Sequence, residues 1–91
     1  MAVLVKIPTQ LRAAAEGSSE TEVQGATVAE VLNDLYERYG ELRERICNED
    51  GSLRRFVNVY LAGEDIRFLD GLQTPVADGA EITILPAVAG G

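Results

Sequence analysis

The residues of this sequence with the clearest chemical potential are the last two, Gly90 and Gly91. The chain ends on the α-carboxylate of Gly91, and small, uncharged residues separate it from Pro86. Glycines have no Cβ atom, so they enter a slot too narrow for side chains and adopt backbone angles closed to other residues. A carboxylate is a poor electrophile until it is activated, for example as an acyl-adenylate. A sulfide or an amine then attacks the carbonyl carbon, which makes Gly91 the candidate reacting residue.

The sequence carries no machinery of its own for this activation. It has no histidine and a single cysteine, Cys47, which excludes an internal disulfide and a protein-only zinc site of the usual kind. It also lacks the G-x-x-x-x-G-K-[ST] loop that binds nucleotide phosphates. We therefore expect the chain to be a substrate rather than an enzyme, with no bound cofactor. ATP would be used by a separate activating enzyme.

The composition describes one folded domain. With 91 residues, of which 46% are hydrophobic and 25% charged, the chain has enough apolar surface for a single core. Its formal net charge of −7 argues against nucleic acid and anionic membranes as partners and suits a basic surface on another protein. The apolar start is interrupted at Lys6 and is too short for a signal peptide, and no segment reaches the ~20 apolar residues of a membrane span. The expected compartment is the cytoplasm.

A helix after Thr27 is the strongest secondary-structure signal. Thr27 and Glu30 form a capping box, and Gly40 stands at the C′ position. A shorter helical turn is predicted over residues 41–47. The apolar residues between cap and Gly40 recur at helical spacing and must pack against a sheet: Val28, Val31, Leu32, Leu35 and Tyr39.

Period-two alternation predicts strands on both sides of this helix. The first, residues 3–7, pairs as a hairpin with residues 20–24, whose glutamates discourage further pairing at the sheet edge. The strand that follows the helix is predicted over residues 53–61. Ile66 and Phe68 are expected to supply a short return strand.

The last predicted strand begins at Glu81 and stops at Pro86, which has no N–H to donate. The order ββαβββ indicates an α+β roll in which one main helix packs across a mixed sheet. Residues 1–86 are expected to form the domain and residues 87–91 a flexible C-terminal tail.

This order of elements, with a last strand running into Gly-Gly, resembles the β-grasp, ubiquitin-like sulfur carriers of the ThiS/MoaD type. The resemblance covers nearly the whole chain and is most specific in Ala77–Gly91. Two stretches, Arg55–Phe68 and Leu85–Gly91, are most similar to the actinobacterial carriers that serve cysteine biosynthesis.

The resemblance implies a reaction sequence centred on Gly91. A ubiquitin-activating-type adenylyltransferase and sulfurtransferase adenylates the carboxylate of Gly91 and converts it to a thiocarboxylate, with Val88, Ala89 and Gly90 as the tail that presents it. The carrier then delivers sulfur to an accepting synthase. In the cysteine branch the resemblance implies an O-phosphoserine-dependent synthase and a metalloprotease that releases cysteine from the tail.

Two other functions would use the same tail. One is a ubiquitin-like modifier joined to lysines through Gly91. The other is the small subunit of molybdopterin synthase or the related carrier for thiazole synthesis. In the molybdopterin branch an aromatic residue commonly occupies the position of Leu85, so the aliphatic residue here disfavours that assignment.

Three further residues have a predicted role. Leu85 and Tyr60 fall on the outward face of the sheet if Ile84 and Val59 face the helix, and an apolar patch beside the tail suits a protein partner. Cys47 is interpreted as a small buried residue at the end of the short helix rather than as a sulfur relay.

Overall fold

The structure is a computed structural model that describes residues 2–55 and 57–86. Its five strands form one sheet in the order β2-β1-β5-β3-β4. β1 and β5 run parallel and the other neighbours run antiparallel, which confirms the predicted mixed sheet and hairpin. The strands are β1 (Ala2–Lys6), β2 (Glu20–Gln24), β3 (Val57–Leu61), β4 (Glu64–Asp65) and β5 (Glu81–Pro86).

The main helix, α1 (Val28–Arg38), begins at the predicted cap. The Thr27 hydroxyl accepts a hydrogen bond from the Glu30 N–H at 3.2 Å, and the Glu30 carboxylate accepts one from the Ala26 N–H at 3.1 Å. Caps of this kind contribute about 1 kcal/mol each. One face of the helix is buried against the sheet through the predicted apolar residues Val28, Val31, Leu32 and Leu35.

A second helix, α2 (Gly40–Ile46), follows α1 without a loop. Gly40 therefore starts a helix, whereas the sequence suggested only a helix end, and it is not among the residues with positive φ. Tyr39 turns the chain instead, with φ −133° and ψ 82°, and its N–H donates to the Leu35 carbonyl at 2.9 Å. Two fully buried residues, Leu42 and Ile46, fix α2 on the core.

The strand predicted over residues 53–61 is shorter in the structure and covers Val57–Leu61. Leu53 forms only an isolated bridge with Cys47, and the Arg54 N–H donates to the Ile46 carbonyl at 2.8 Å. These bonds hold the start of the segment against the end of α2, so it joins the sheet only after a turn.

The predicted return strand at Ile66 and Phe68 is wrong. β4 is instead the pair Glu64–Asp65, and Ile66–Phe68 forms a turn of 3-10 helix. The Asp65 carboxylate accepts a hydrogen bond from the Arg67 N–H at 2.9 Å, which caps this turn and ends the strand after two residues. As a result Ile66 is buried, whereas Phe68 is 86% exposed.

A 3-10 helix over Thr9–Ala15 was not predicted, because its small residues carry no clear period. It packs against α2 and contributes three buried side chains to the core, those of Leu11, Ala14 and Ala15. The core thus lies between one face of the sheet and the helices. Within the described residues, none of the helices combines the length and apolar character needed to cross a bilayer.

Candidate functional site

Strand β5 lies in the middle of the sheet and carries the chain to its C-terminal tail. β1 flanks it on one side and β3 on the other. Ile82 and Ile84 are 0% and 1% exposed, so each anchors the strand with ~1.5–3 kcal/mol of hydrophobic burial. The last described residue is Pro86, which belongs to β5, so the predicted end of the strand at this proline stays a prediction. The predicted tail and reacting residues, Val88, Ala89, Gly90 and Gly91, lie outside the described residues.

The position of Pro86 in β5 explains why a proline is tolerated in a central strand. The Ala62 N–H donates to the Glu81 carbonyl at 3.0 Å, so the odd-numbered residues of β5 turn their backbone polar groups toward β3. The nitrogen of Pro86 therefore faces the β1 side, where the last pair joins Lys6 to Thr83. Because β1 no longer runs beside Pro86, the missing N–H costs no hydrogen bond of the sheet.

Leu85 and Tyr60 lie on the outer face of the sheet, as expected from the alternation. Leu85 is 43% exposed and stands directly opposite Asn58 in the β3–β5 pair. Tyr60 is half-buried and stands opposite Thr83. Leu85 and Tyr60 are consequently diagonal neighbours, at a typical separation of about 7–8 Å. Their role in binding a partner stays a prediction.

The structure adds a polar cluster on this face that the sequence did not suggest. The Nη2 atom of Arg67 lies 2.8 Å from a carboxylate oxygen of Asp65 and 2.6 Å from the amide oxygen of Asn58. Hydrogen bonds from the Arg67 side chain and backbone hold the pKa of the Asp65 carboxyl below its usual value. Because Asn58 faces Leu85, this cluster fixes a solvent-exposed guanidinium beside the strand that leads to the tail.

On the other side of Leu85 a groove separates the end of β5 from the segment that follows β1. Its lining includes Lys6, Arg12 and Glu20. The Lys6 ammonium group forms an ion pair with the carboxylate of Glu81, the first residue of β5, at 3.2 Å. Both side chains are exposed, so this ion pair contributes little to stability. The Nε atom of Arg12 donates a hydrogen bond to the backbone carbonyl of Ile7, the residue after β1, at 3.1 Å. Positively and negatively charged side chains therefore both lie near Leu85. The surface around Leu85 is thus not uniformly acidic, although the whole chain has a net charge of −7.

Cys47 is a small buried residue, as the sequence interpretation held. It is 6% exposed and caps the end of α2. Its sulfur lies 3.0 Å from the hydroxyl of Tyr36. Arg43 and Arg54 line the hollow beside it, which the sequence alone did not indicate.

Comparison with known proteins agrees with the resemblance read from the sequence. Residues 5–91 match the model of the ThiS family. The chain is 46% identical to the sulfur carrier protein CysO of Mycobacterium tuberculosis, in an alignment that covers 100% of both chains. It is also 41% identical over 66 residues to small archaeal modifier protein 3 of Haloferax volcanii, with 72% of this chain and 71% of that protein covered.

The fold has a close counterpart among solved structures. A chain in the crystal structure of the BexX/CysO complex of Amycolatopsis orientalis superposes with a TM-score of 0.91 at 48% identity, covering 99% of this chain and 100% of that chain. The predicted fold class, an α+β roll of the β-grasp, ubiquitin-like type, is confirmed by these relationships.

Proposed function

Because the chain belongs to the ThiS family, we propose that it is a sulfur carrier protein whose Gly91 carries sulfur as a thiocarboxylate. Full-length similarity to the CysO sulfur carrier is the observation that carries the proposal. The geometry is compatible with it, since the central strand β5 is anchored on both sides and delivers the chain to the tail at Pro86.

The proposed chemistry divides between this chain and an activating enzyme. The α-carboxylate of Gly91 attacks the α-phosphorus of ATP on the partner, which forms an acyl-adenylate and releases pyrophosphate. A sulfide equivalent then attacks the carbonyl carbon, AMP leaves, and the thiocarboxylate remains on Gly91. This chain contributes the carboxylate and the docking surface, while the partner binds ATP and supplies the catalytic groups. In this proposal the chain is therefore a co-substrate and binds no cofactor of its own.

The outer face around Leu85 and Tyr60 is the proposed docking surface for that enzyme. Leu85 is exposed on the strand that leads to the tail, and Asp65 and Asn58, the residue opposite Leu85, hold Arg67 on the same face. Leu85 and Tyr60 form a small apolar centre, and Arg67 lies at its polar edge. An apolar centre with a polar edge is typical of protein interfaces. The occurrence of the similar CysO chain in a BexX/CysO complex supports a protein as the partner.

We place the delivered sulfur in cysteine biosynthesis. In this proposal the sulfur of the Gly91 thiocarboxylate displaces phosphate from O-phosphoserine bound to a synthase, which joins the amino acid to Gly91 through a thioester. Transfer of the acyl group to the amine gives an amide, and a metalloprotease hydrolyses this amide to release cysteine and the free Gly91 carboxylate. The support is the 46% identity to CysO in an alignment that covers 100% of both chains. The aliphatic Leu85 weighs against the molybdopterin branch.

A second candidate function, a protein modifier conjugated to lysines through Gly91, is favoured by the similarity to small archaeal modifier protein 3. The two functions use the same activation and differ in the nucleophile. A thiocarboxylate changes the mass of the chain by the exchange of one oxygen for sulfur, whereas conjugation gives a ladder of heavier species.

Intact-mass measurement tests the proposal. The chain is incubated with the activating enzyme of its own host, ATP and a sulfide source, and the oxygen-to-sulfur exchange is expected at the C-terminal residue. The matched control is Cys47→Ser, which should gain sulfur at the normal rate because Cys47 is buried. Loading that disappears in this variant while the fold survives would move the sulfur chemistry to Cys47 and overturn the proposal.

A further inference from the structure

The outer edge of β2 is an open side of the sheet. β2 stands at the end of the strand order and pairs only with β1. The Ile7 N–H donates to the Ser19 carbonyl at 2.8 Å, so the odd-numbered residues of β2 bond to β1 and the even-numbered residues turn their backbone groups outward. Within residues 2–55 and 57–86, nothing bonds to the outward N–H and C=O groups of Glu20 and Glu22. Such an edge can pair with an extended segment of another chain.

Helix α1 holds one end of this edge in place. The N–H of Gln24, the last residue of β2, also points outward and donates to the Asp34 carboxylate at 2.9 Å. The next residue, Gly25, lies so close to α1 that a Cβ atom there would be 2.5 Å from the backbone nitrogen of Val31. The end of β2 is therefore fixed against the helix, whereas the backbone groups of the preceding outward residues stay available to a partner.

Acidic side chains lie on both sides of the open edge. On the outer face, the side chains of Glu20 and Glu22 are exposed. On the helix side, a groove of about 410 Å³ begins at Gln24 and Gly25, and its α1 wall consists of Glu30, Asn33, Asp34 and Glu37. Among the ion pairs of the described residues, only one involves these carboxylates, that of Asp34 with Arg38 at 3.8 Å. The surroundings of the edge are therefore predominantly negative.

These charges distinguish between the possible occupants of the edge. Opposite charges on facing strands stabilise a strand pair, whereas like charges directly opposite each other destabilise it. A second copy of β2 would bring glutamates against glutamates, so pairing between two copies of this chain is disfavoured. A segment with lysine or arginine would instead meet carboxylates on both faces, because successive side chains of a strand point to opposite sides. The charge complementarity thus selects a basic segment.

We propose that the β2 edge binds an extended segment of another protein that carries lysine or arginine, and that this segment adds to the sheet beside β2. The outward N–H and C=O groups of Glu20 and Glu22 bond to the backbone of the segment. The carboxylates of Glu22 and Glu37 receive its basic side chains from the two faces. Because β1 separates this edge from β5, the inference does not depend on the chemistry proposed for the tail.

NMR titration of the full chain with a blocked peptide, acetyl-Lys-Val-Lys-Val-Lys-amide, tests the inference. Chemical-shift changes are expected along β2 and in the α1 groove, amide hydrogen exchange should slow at Glu20 and Glu22, and both effects should weaken as salt is added. The same peptide with every backbone nitrogen methylated keeps its charges but has no N–H to donate, and acetyl-Glu-Val-Glu-Val-Glu-amide reverses the charge. Both control peptides should give much smaller changes.

A matched pair of variants tests the contribution of the edge carboxylates. Glu22→Gln should raise the dissociation constant of the lysine peptide about two- to fivefold, because a cross-strand pair of opposite charges is lost. Glu64→Gln removes an exposed carboxylate from β4, at the opposite edge of the sheet, and should leave the dissociation constant unchanged. Both side chains are exposed, so the variants should keep the wild-type fold, which the same spectra report.

Several outcomes would overturn the inference. Equal changes with the N-methylated peptide would show that charge alone attracts the peptide and that no strand is added. The absence of any change with the lysine peptide, or equally tight binding to Glu22→Gln, would contradict the proposed contacts. Broadening of the β2 signals that grows with the concentration of the chain, without any peptide, would assign the edge to a second copy of the chain instead.

Discussion

The hydroxyl of Tyr36 lies 3.0 Å from the sulfur of Cys47, and this contact ties α1 to the residue that ends α2. Burial of the ring raises the pKa of Tyr36 far above its usual value, because the phenolate would lose its hydration. The hydrogen bond with Cys47 acts in the same direction. Tyr36 therefore remains protonated in the folded chain at pH values where a free tyrosine ionises.

This pKa shift predicts a stability loss at high pH. Below about pH 10 both the folded and the unfolded chain carry the Tyr36 proton, so the contribution to stability is fully present. Above that pH the unfolded chain releases the proton while the folded chain keeps it, and the free energy of unfolding falls by up to about 1.4 kcal/mol per pH unit. Urea unfolding of Tyr36→Phe should show a shallower decline between pH 10 and 11 than the wild type. If the free energy of unfolding fell equally steeply with pH in the wild type and in Tyr36→Phe, the raised pKa of Tyr36 would be refuted.

Leu85→Asp should weaken the complex with the activating enzyme by about tenfold or more, since a charge replaces an apolar contact at the proposed docking surface. The fold should survive because Leu85 is 43% exposed. The matched control is Leu69→Asp, at a position 39% exposed but outside β5, which should bind normally. Calorimetric titration measures the affinity, and thermal unfolding measures the fold. Loss of a cooperative thermal transition in Leu85→Asp would instead identify Leu85 as part of the core.

Gly25→Ala should destabilise the domain by about 1–3 kcal/mol, because β2 and α1 approach each other there. A Cβ atom at Gly25 would lie 2.5 Å from the backbone nitrogen of Val31 and 2.8 Å from the carbonyl carbon of Glu30. Gly40→Ala is the control, since nothing lies within 4 Å of its Cβ position and alanine is the better helix former. Urea unfolding should show a lower midpoint for Gly25→Ala alone. Equal midpoints for both variants would show that α1 can shift away from the new Cβ atom at position 25 without lowering the free energy of unfolding.

The regular parts of the fold follow directly from the sequence. The cap at Thr27 and the apolar period of α1 identify the main helix, and the alternation of Ile82 and Ile84 identifies the strand that reaches the tail. In these segments local preference and tertiary packing agree, so a pattern within one segment is enough.

The parts that were missed depend on contacts between distant segments. Arg54 could not be excluded from a strand without knowing that its N–H bonds to Ile46, and Phe68 could not be assigned to the surface without the cap formed by Asp65. The polar cluster around Arg67 has the same origin, since Asn58 is nine positions away in the chain. For the proposed docking surface, alternation predicted the outward direction of Leu85 and Tyr60, because the face on which a strand residue lies follows from its own position in the strand.

Changing the length of the tail by one residue should abolish thiocarboxylate formation. Deleting Gly91, or adding one residue after it, keeps a free carboxylate and leaves β5 intact as far as Pro86, so the thermal unfolding midpoint should match the wild type. One extended residue moves the terminus by about 3.3 Å, whereas reacting atoms must approach to ~3–3.5 Å. The carboxylate should therefore miss the adenylating phosphate. Gly40→Ala is a control outside the tail, with nothing within 4 Å of its Cβ position and no positive φ. If a shortened chain gained sulfur at the wild-type rate, the activation reaction would not depend on the number of residues between Pro86 and the terminal carboxylate.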